Sequence, residues 1–153
     1  MGTSAATSQS DVLRTFVTFA VSFPDDGVFD AAGNPQVPGG KNVSDAIVGL
    51  LRDRGAEVTE PVQHSFYGWQ FTLNADGDAF VFLLQHPETW LLFSRRVESL
   101  LDKFRSERSE QTHRRVLEQV STLLSQDGRF RRQSWFTKDE YERDSNAPRH
   151  EKP

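Results

Sequence analysis

The chain has 153 residues, 36% of them hydrophobic, and no cysteine. These totals fit one compact domain and exclude disulfides, thiolate metal sites and cysteine nucleophiles. The formal net charge is −4, with 18 Lys and Arg against 22 Asp and Glu, so the chain as a whole lacks the basic character typical of nucleic-acid-binding proteins. The first ten residues show no basic segment followed by an apolar stretch, and the apolar runs are too short to cross a bilayer. We therefore expect a cytoplasmic protein without membrane association.

The first half of the chain predicts a strand, a loop and a helix. Alternating apolar residues predict a long strand from Asp11 to Phe23. A loop rich in Pro, Gly and Asp follows from Pro24 to Gly40. The next segment predicts a helix with Asn42 as its N-cap, Asp45 in its first turn and Gly55 just after its end. Its apolar stripe consists of Val43, Ala46, Ile47, Leu50 and Leu51.

The middle of the chain predicts four short strands. Pro61 weakens or ends the first of them, and the short connections between the others require antiparallel pairing. The four predicted strands cover Glu57–Gln63, Phe66–Leu73, Ala79–Gln85 and Thr89–Ser94.

The last third predicts helices. One apolar stripe consists of Val97, Leu100, Leu101 and Phe104, and a second of Val116, Leu117, Val120, Leu123 and Leu124. The polar segment "SERSE" between the stripes is either a break or a polar turn of one bent helix. The segment "RFRRQSWF" can form a final strand, and Thr137 with Glu140 has capping-box spacing for a short terminal helix.

These elements, in the order β-α-β-β-β-β-α-α-(β), predict an α+β fold. We expect an antiparallel sheet of about five strands with two to three helices packed on it. A disordered tail over residues 1–10, one domain over 11–142 and a disordered tail over 143–153 complete the prediction.

Two central strands are apolar on both faces. Either the helices divide between the two faces of the sheet, or the long loop or a partner closes the second face.

The turn "VPGGKNV" before the predicted helix resembles a phosphate loop but fails its pattern. A Walker loop needs a glycine and a hydroxyl residue where this chain has Pro35 and Asn42, and Pro38 removes a backbone N–H. A plain helix N-terminus beside Lys41 could still attract an anion. The simpler interpretation is a tight entry turn.

The candidate metal and catalytic groups fit no known spacing. Asp25, Asp26 and Asp30 do not match an EF-hand loop, and turn chemistry accounts for them. The four histidines show no ligand spacing, so we predict no metal and no cofactor. His64 lies near Tyr67 and would need a distant carboxylate to form an acid–base group. His113 is interpreted as a packing or surface residue.

The C-terminal third is basic, with 14 Lys and Arg against 11 Asp and Glu from Arg95 to Pro153. Its arginines at 129, 131 and 132 interleave with aromatic residues, a pattern that can grip single-stranded nucleic acid. A charged edge strand that resists aggregation explains the same pattern, and so does a surface for an acidic protein partner. Nearby acidic residues weigh against nucleic acid.

The arrangement of "NVSDAIVGLLRDRGAEV", "YGWQF", "FVFLL" and "WLLF" resembles small stand-alone bacterial α+β proteins of uncharacterised function, among them toxin-neutralising immunity proteins. The resemblance covers roughly residues 16–136 as a style of organisation and supplies no functional residues. It implies a non-enzymatic module that binds a partner protein, either a toxin or a second copy of the chain.

Three hypotheses follow from the sequence. The first is a protein-interaction module that binds through the acidic loop (Asp25, Asp26, Asp30) or through the aromatics Tyr67 and Trp69. The second is a small-ligand-binding or enzymatic domain with a pocket beside the 24–40 loop, using Lys41, His64 and Tyr67. The third is a nucleic-acid-associated protein that uses the arginine-rich C-terminal segment.

Overall fold

The structure is a computed structural model that describes residues 12–98, 106–143 and 149–153. Nine strands and three helices lie within these residues. In chain order they are β1 (Phe16–Val21), β2 (Val28–Phe29), β3 (Pro35–Val37), α1 (Lys41–Asp53), β4 (Glu57–Val58), β5 (Val62–His64), β6 (Gly68–Ala75), β7 (Asp78–Gln85), β8 (Trp90–Arg96), α2 (Ser106–Gln126), β9 (Phe130–Phe136) and α3 (Lys138–Arg143).

A seven-stranded antiparallel sheet confirms the α+β class. The strand order is β4-β6-β7-β8-β1-β9, and β5 also pairs with β6. There are more strands than the five expected, partly because the strand predicted over Glu57–Gln63 is divided. Its two parts, β4 and β5, flank Pro61 and pair with the same neighbour. The strands β2 and β3 form a separate small hairpin inside the predicted long loop.

The strand β1 lies inside the sheet, between β8 and β9. It is shorter than the predicted strand from Asp11 to Phe23, since its ladder covers only six residues. Val17 pairs with Leu92 on one side and with Trp135 on the other. The late strand β9 therefore pairs with the first strand of the chain. The pairing with β9 shifts register between Thr18 and Ala20, where Arg132 adopts a left-handed conformation with φ 57°.

The main core lies between one face of the sheet and the helices α1 and α2. The five apolar residues predicted to form the second stripe are all buried in α2, which also includes the polar segment Ser106–Glu110 as its first turns. In α1 the predicted stripe packs on the same core, with Val43, Ile47 and Leu51 buried and Ala46 and Leu50 partly buried. The other predicted stripe, from Val97 to Phe104, lies mostly outside the described residues.

The helix α3 packs on the opposite face of the sheet. Its Tyr141 ring stacks on Phe16 at 5.5 Å between centroids and meets Phe136 edge-on at 6.2 Å. Phe16 in turn stacks on Phe93 at 4.9 Å. The three described helices therefore divide two to one between the faces.

The C-terminal end of α1 and the N-terminal end of α3 both have regular capping motifs. After α1, Gly55 and Ala56 donate backbone hydrogen bonds to Arg52 and Leu51, the two bonds of a Schellman motif. At α3 the predicted capping box is present. The Thr137 amide donates to Glu140 Oε1 at 2.8 Å, and the Glu140 amide donates to Thr137 Oγ1 at 3.1 Å.

The final residues have a defined place beside β9. The Trp135 amide donates to the carbonyl oxygen of His150 at 2.7 Å, which forms an isolated antiparallel bridge. His150 Nε2 lies 3.3 Å from Glu140 Oε2. Residues 149–153, which the sequence predicted to be disordered, therefore pack along the outer edge of the sheet.

Among the described residues, no helix is both long enough and apolar enough to cross a membrane.

Candidate functional site

The 24–40 loop contacts the sheet next to the turns that follow β5 and β7. Two contacts join these parts. The Trp69 indole donates from Nε1 to the carbonyl oxygen of Pro38 at 3.0 Å. Gly40 lies against Trp90, the first residue of β8. The loop is therefore fastened to the sheet by both of these tryptophans.

Gly40 is the N-cap of α1, so the prediction that Asn42 caps this helix is wrong. Gly40 has φ 110°, and a Cβ atom there would lie 2.7 Å from the Trp90 ring, which leaves room for glycine alone. The Asn42 side chain instead donates to the carbonyl oxygen of Pro24 at 2.8 Å. No acidic residue lies in the first turn of α1, which also corrects the placement of Asp45.

Asp26 supplies the capping carboxylate from outside the helix. Its two oxygens accept the backbone N–H groups of Gly40 at 2.7 Å and Asn42 at 2.8 Å. These amides are among those that a helix N-terminus leaves without intrahelical partners, and a carboxylate there also complements the helix dipole. The position at which the sequence allowed a bound anion therefore holds an anion of the chain itself.

Asp25 and Asp30 organise turns in the same loop. Asp25 Oδ1 accepts the Gly27 amide at 2.9 Å. Asp30 Oδ1 accepts the amides of Ala32 at 2.9 Å and Asn34 at 2.8 Å, which closes the hairpin between β2 and β3. The Asn34 backbone bond is the main reason that the pKa of Asp30 lies below its usual value. Both aspartates keep exposed positions while they hold the loop.

The three residues of the enzymatic hypothesis do not form one hydrogen-bonded group. Lys41 Nζ pairs with Asp45 Oδ2 at 2.8 Å, and this bond raises the pKa of the lysine. The His64 carbonyl oxygen accepts the Tyr67 amide at 3.2 Å, a backbone turn that does not involve the imidazole. Across the described ranges, no cluster of three or more His, Cys, Asp or Glu residues is arranged to hold a metal ion.

The turn between β5 and β6 presents two aromatic rings to solvent. Ser65 has φ 51°, and this left-handed residue turns the chain between the strands. Phe66 is 60% exposed and Tyr67 is 69% exposed. Trp69, two residues later, is only 6% exposed, so it serves as an anchor rather than as part of the accessible surface.

Gly68 fixes this turn against the next strand. A Cβ atom at Gly68 would lie 1.9 Å from the carbonyl oxygen of Leu84, so the two backbones touch. This close approach, together with the bond from Trp69 to Pro38, anchors the start of β6 directly after the two exposed rings.

Five of the exposed apolar side chains belong to the hairpins β2–β3 and β5–β6. Seven large hydrophobic residues are exposed in the described part of the chain. Five of them belong to these hairpins, and the remaining two are Val12 and Val97. Sequence reasoning identified only Tyr67 among the five. We call these five residues the hairpin surface: Val28, Phe29, Val62, Phe66 and Tyr67.

Comparisons of this chain with protein-family models, with curated proteins and with solved structures found no match. The resemblance to immunity proteins accordingly stays a prediction.

Proposed function

We propose that the chain is a non-enzymatic protein-interaction module that binds a partner protein through the hairpin surface, in the manner of an immunity or adaptor protein. The observation that carries the proposal is the exposure of Phe66 and Tyr67 on a turn that is anchored to the sheet by Gly68. Tyrosine is one of the residue types enriched at binding hot spots, where truncation to alanine costs about 2 kcal/mol or more.

Anchoring of the turn favours binding because it lowers the entropy cost of ordering the two rings. A loop that orders itself only on binding loses conformational freedom at that moment, which weakens affinity. Here the Trp69 bond to Pro38 and the packing of Gly68 on Leu84 hold the turn before any partner arrives. The hairpin surface therefore needs little rearrangement to dock.

Charge next to the hairpin surface supports a basic partner. Asp25 and Asp30 are exposed on the loop that carries Val28 and Phe29. From Met1 to Ser94 the chain has 4 Lys and Arg against 11 Asp and Glu, a net charge of −7. A negative surface accelerates encounter with a basic protein and disfavours an acidic one.

An affinity capture from a lysate of the source organism tests the proposal. The immobilised wild-type chain is compared with the double variant Phe66→Ser/Tyr67→Ser, and captured proteins are quantified by mass spectrometry. We expect a stoichiometric basic partner that the double variant loses. The matched control is Val97→Ser, which removes an exposed apolar side chain outside the hairpin surface and should retain the partner.

Two results would contradict the proposal. One is a partner retained equally by the wild type and the double variant. The other is the absence of any stoichiometric partner, together with a chain that stays monomeric in sedimentation at high concentration. A charge test must spare Asp26, because its carboxylate caps α1 and its loss would disturb the fold.

A further inference from the structure

The seven-stranded sheet has two edges, one formed by β4 and β5 and the other by β9. The backbone N–H and C=O groups along a sheet edge can pair with a further strand. Proteins commonly prevent this pairing with charged side chains, a proline, an irregular strand or a covering segment. The three edge strands of this chain differ in whether they carry such protection.

The β9 edge is protected by a covering segment and by charge. The Trp135 amide donates to the carbonyl oxygen of His150 at 2.7 Å, so residues 149–153 already occupy part of this edge. Arg131 and Arg132 are exposed on the same strand, and Arg132 has a left-handed backbone that makes the strand irregular. A further strand would have to displace or avoid these groups.

The β4 part of the other edge is also protected. The Val58 carbonyl oxygen accepts hydrogen bonds from Arg52, from Nη2 at 2.8 Å and from Nε at 3.2 Å. Pro61, which lies between β4 and β5, has no N–H to donate. The guanidinium and the proline therefore exclude a regular ladder along β4.

The strand β5 (Val62–His64) has none of these protections. All three of its residues are exposed, and its sequence contains no Lys, Arg or Pro. Its ladder joins it to β6. Apart from the turn bond donated by the Tyr67 amide to His64, no described residue outside β6 hydrogen-bonds to the β5 backbone. The outer side of β5 is therefore the open part of the sheet edge.

We propose that the partner of the hairpin surface binds by strand addition, with an extended segment of the partner paired to the outer side of β5. The inference rests on the proposed function, because it names how a partner would use that surface. In strand addition, main-chain hydrogen bonds supply affinity and the neighbouring side chains supply specificity. Val62 lies within β5, and Phe66 and Tyr67 follow it directly, so the apolar contacts adjoin the open edge.

Charge favours a basic segment of another protein over a second copy of this chain. Residues 55–94, which include β4 to β7 and most of β8, contain no Lys or Arg and five Asp and Glu. Within the described residues, two of these acids, Glu60 and Asp76, form ion pairs with arginines. The other three are Glu57, Asp78 and Glu88. A second copy would bring like charges together, whereas a basic segment brings opposite charges.

Backbone methylation of peptides from the captured partner tests the inference. Short overlapping peptides that tile the partner's sequence are titrated against the full chain, and binding is measured by fluorescence anisotropy. We expect one basic peptide to bind the wild type and Val97→Ser equally, and to bind Phe66→Ser/Tyr67→Ser at least about tenfold more weakly.

The decisive comparison uses two methylated forms of that peptide. The amides of alternate residues in a strand face the same neighbour, so only one of two alternate sets can bond to β5. N-methylation of that set should weaken binding about tenfold or more, because each methyl group removes one hydrogen-bond donor. N-methylation of the intervening set is the matched control and should leave binding unchanged.

The contrary results separate this inference from the proposed function. Equal binding by the two methylated forms overturns strand addition, and so does the failure of every tiling peptide to bind. Both results leave the proposed function standing if Phe66→Ser/Tyr67→Ser still releases the intact partner. A partner that is a second copy of the chain also overturns the basic segment. A partner retained by the double variant, or the absence of any partner, overturns both proposals.

Discussion

Acidification should weaken the fold through His113, a buried imidazole of α2. His113 is 7% exposed, its ring lies 4.8 Å from that of Phe80, and Nε2 is 2.8 Å from Ser94 Oγ. Burial and the nearby positive charge of Arg96 lower its pKa from 6.5 to about 4. The folded protein therefore disfavours the protonated ring.

The sign and size of the effect follow from the two pKa values. Above pH 6.5 the ring is neutral in both the folded and the unfolded chain, so its contribution to stability is complete. As the pH falls from 6.5 toward 4, the unfolded chain binds the proton first and stability decreases. The loss is about 2 kcal/mol by pH 5 and about 3 kcal/mol once the pH lies below both values.

Urea unfolding between pH 7.5 and pH 5 measures this loss. The window stops at pH 5 because Asp127 and Glu140, whose pKa values are also lowered, affect stability mainly at more acidic pH. His113→Gln should flatten the pH dependence, while the exposed His64→Gln should retain it. Equal losses in the wild type and His113→Gln would refute the reasoning, and so would an NMR titration that places the imidazole of His113 near pH 6.5.

Two further predictions concern the base of the hairpin surface, and each is measured by urea unfolding. Gly68→Ala should destabilise the fold by about 2 kcal/mol or more, because its Cβ would strike the Leu84 carbonyl oxygen. The control Gly49→Ala, in open space within α1, should stabilise the fold by up to about 1 kcal/mol. A neutral Gly68→Ala would contradict the close approach. Asp26→Ala should cost about 1–2 kcal/mol through loss of the α1 cap, and Asp25→Ala, which removes one exposed turn bond, should cost within about 0.5 kcal/mol. Equal effects of the two aspartates would show that the cap contributes little.

Signals that depend on neighbouring residues predicted structure well. The capping box joins Thr137 and Glu140, which lie three positions apart, and it forms as predicted. The five apolar residues of α2 are buried because helical periodicity alone decides which face they share. Antiparallel pairing of β6 with β7 was also predicted, and the turn between them consists of Asp76 and Gly77, both with positive φ.

Features that depend on distant residues could not be predicted in the same way. Asn42 has the right chemistry for an N-cap, but its own amide donates a hydrogen bond to Asp26, which lies 16 residues upstream. Similarly, alternation could not show that β1 would lie between β8 and β9, because that pairing joins opposite ends of the chain.

The first hypothesis named the acidic loop or the aromatics Tyr67 and Trp69 as the binding surface, and it stays a prediction. Trp69 looked equally accessible in the sequence, yet its indole reaches Pro38 across 31 residues and is buried. Phe29 lay in a predicted loop and Phe66 in a predicted strand, and neither assignment shows whether anything covers the side chain.

Hydrogen–deuterium exchange of the chain, with and without its captured partner, shows whether the hairpin surface docks on a partner protein. Binding should slow exchange in residues 26–30 and 62–67 and leave α3 unchanged. Protection confined to the β9 edge, with residues 62–67 exchanging as fast as in the free chain, would contradict the claim.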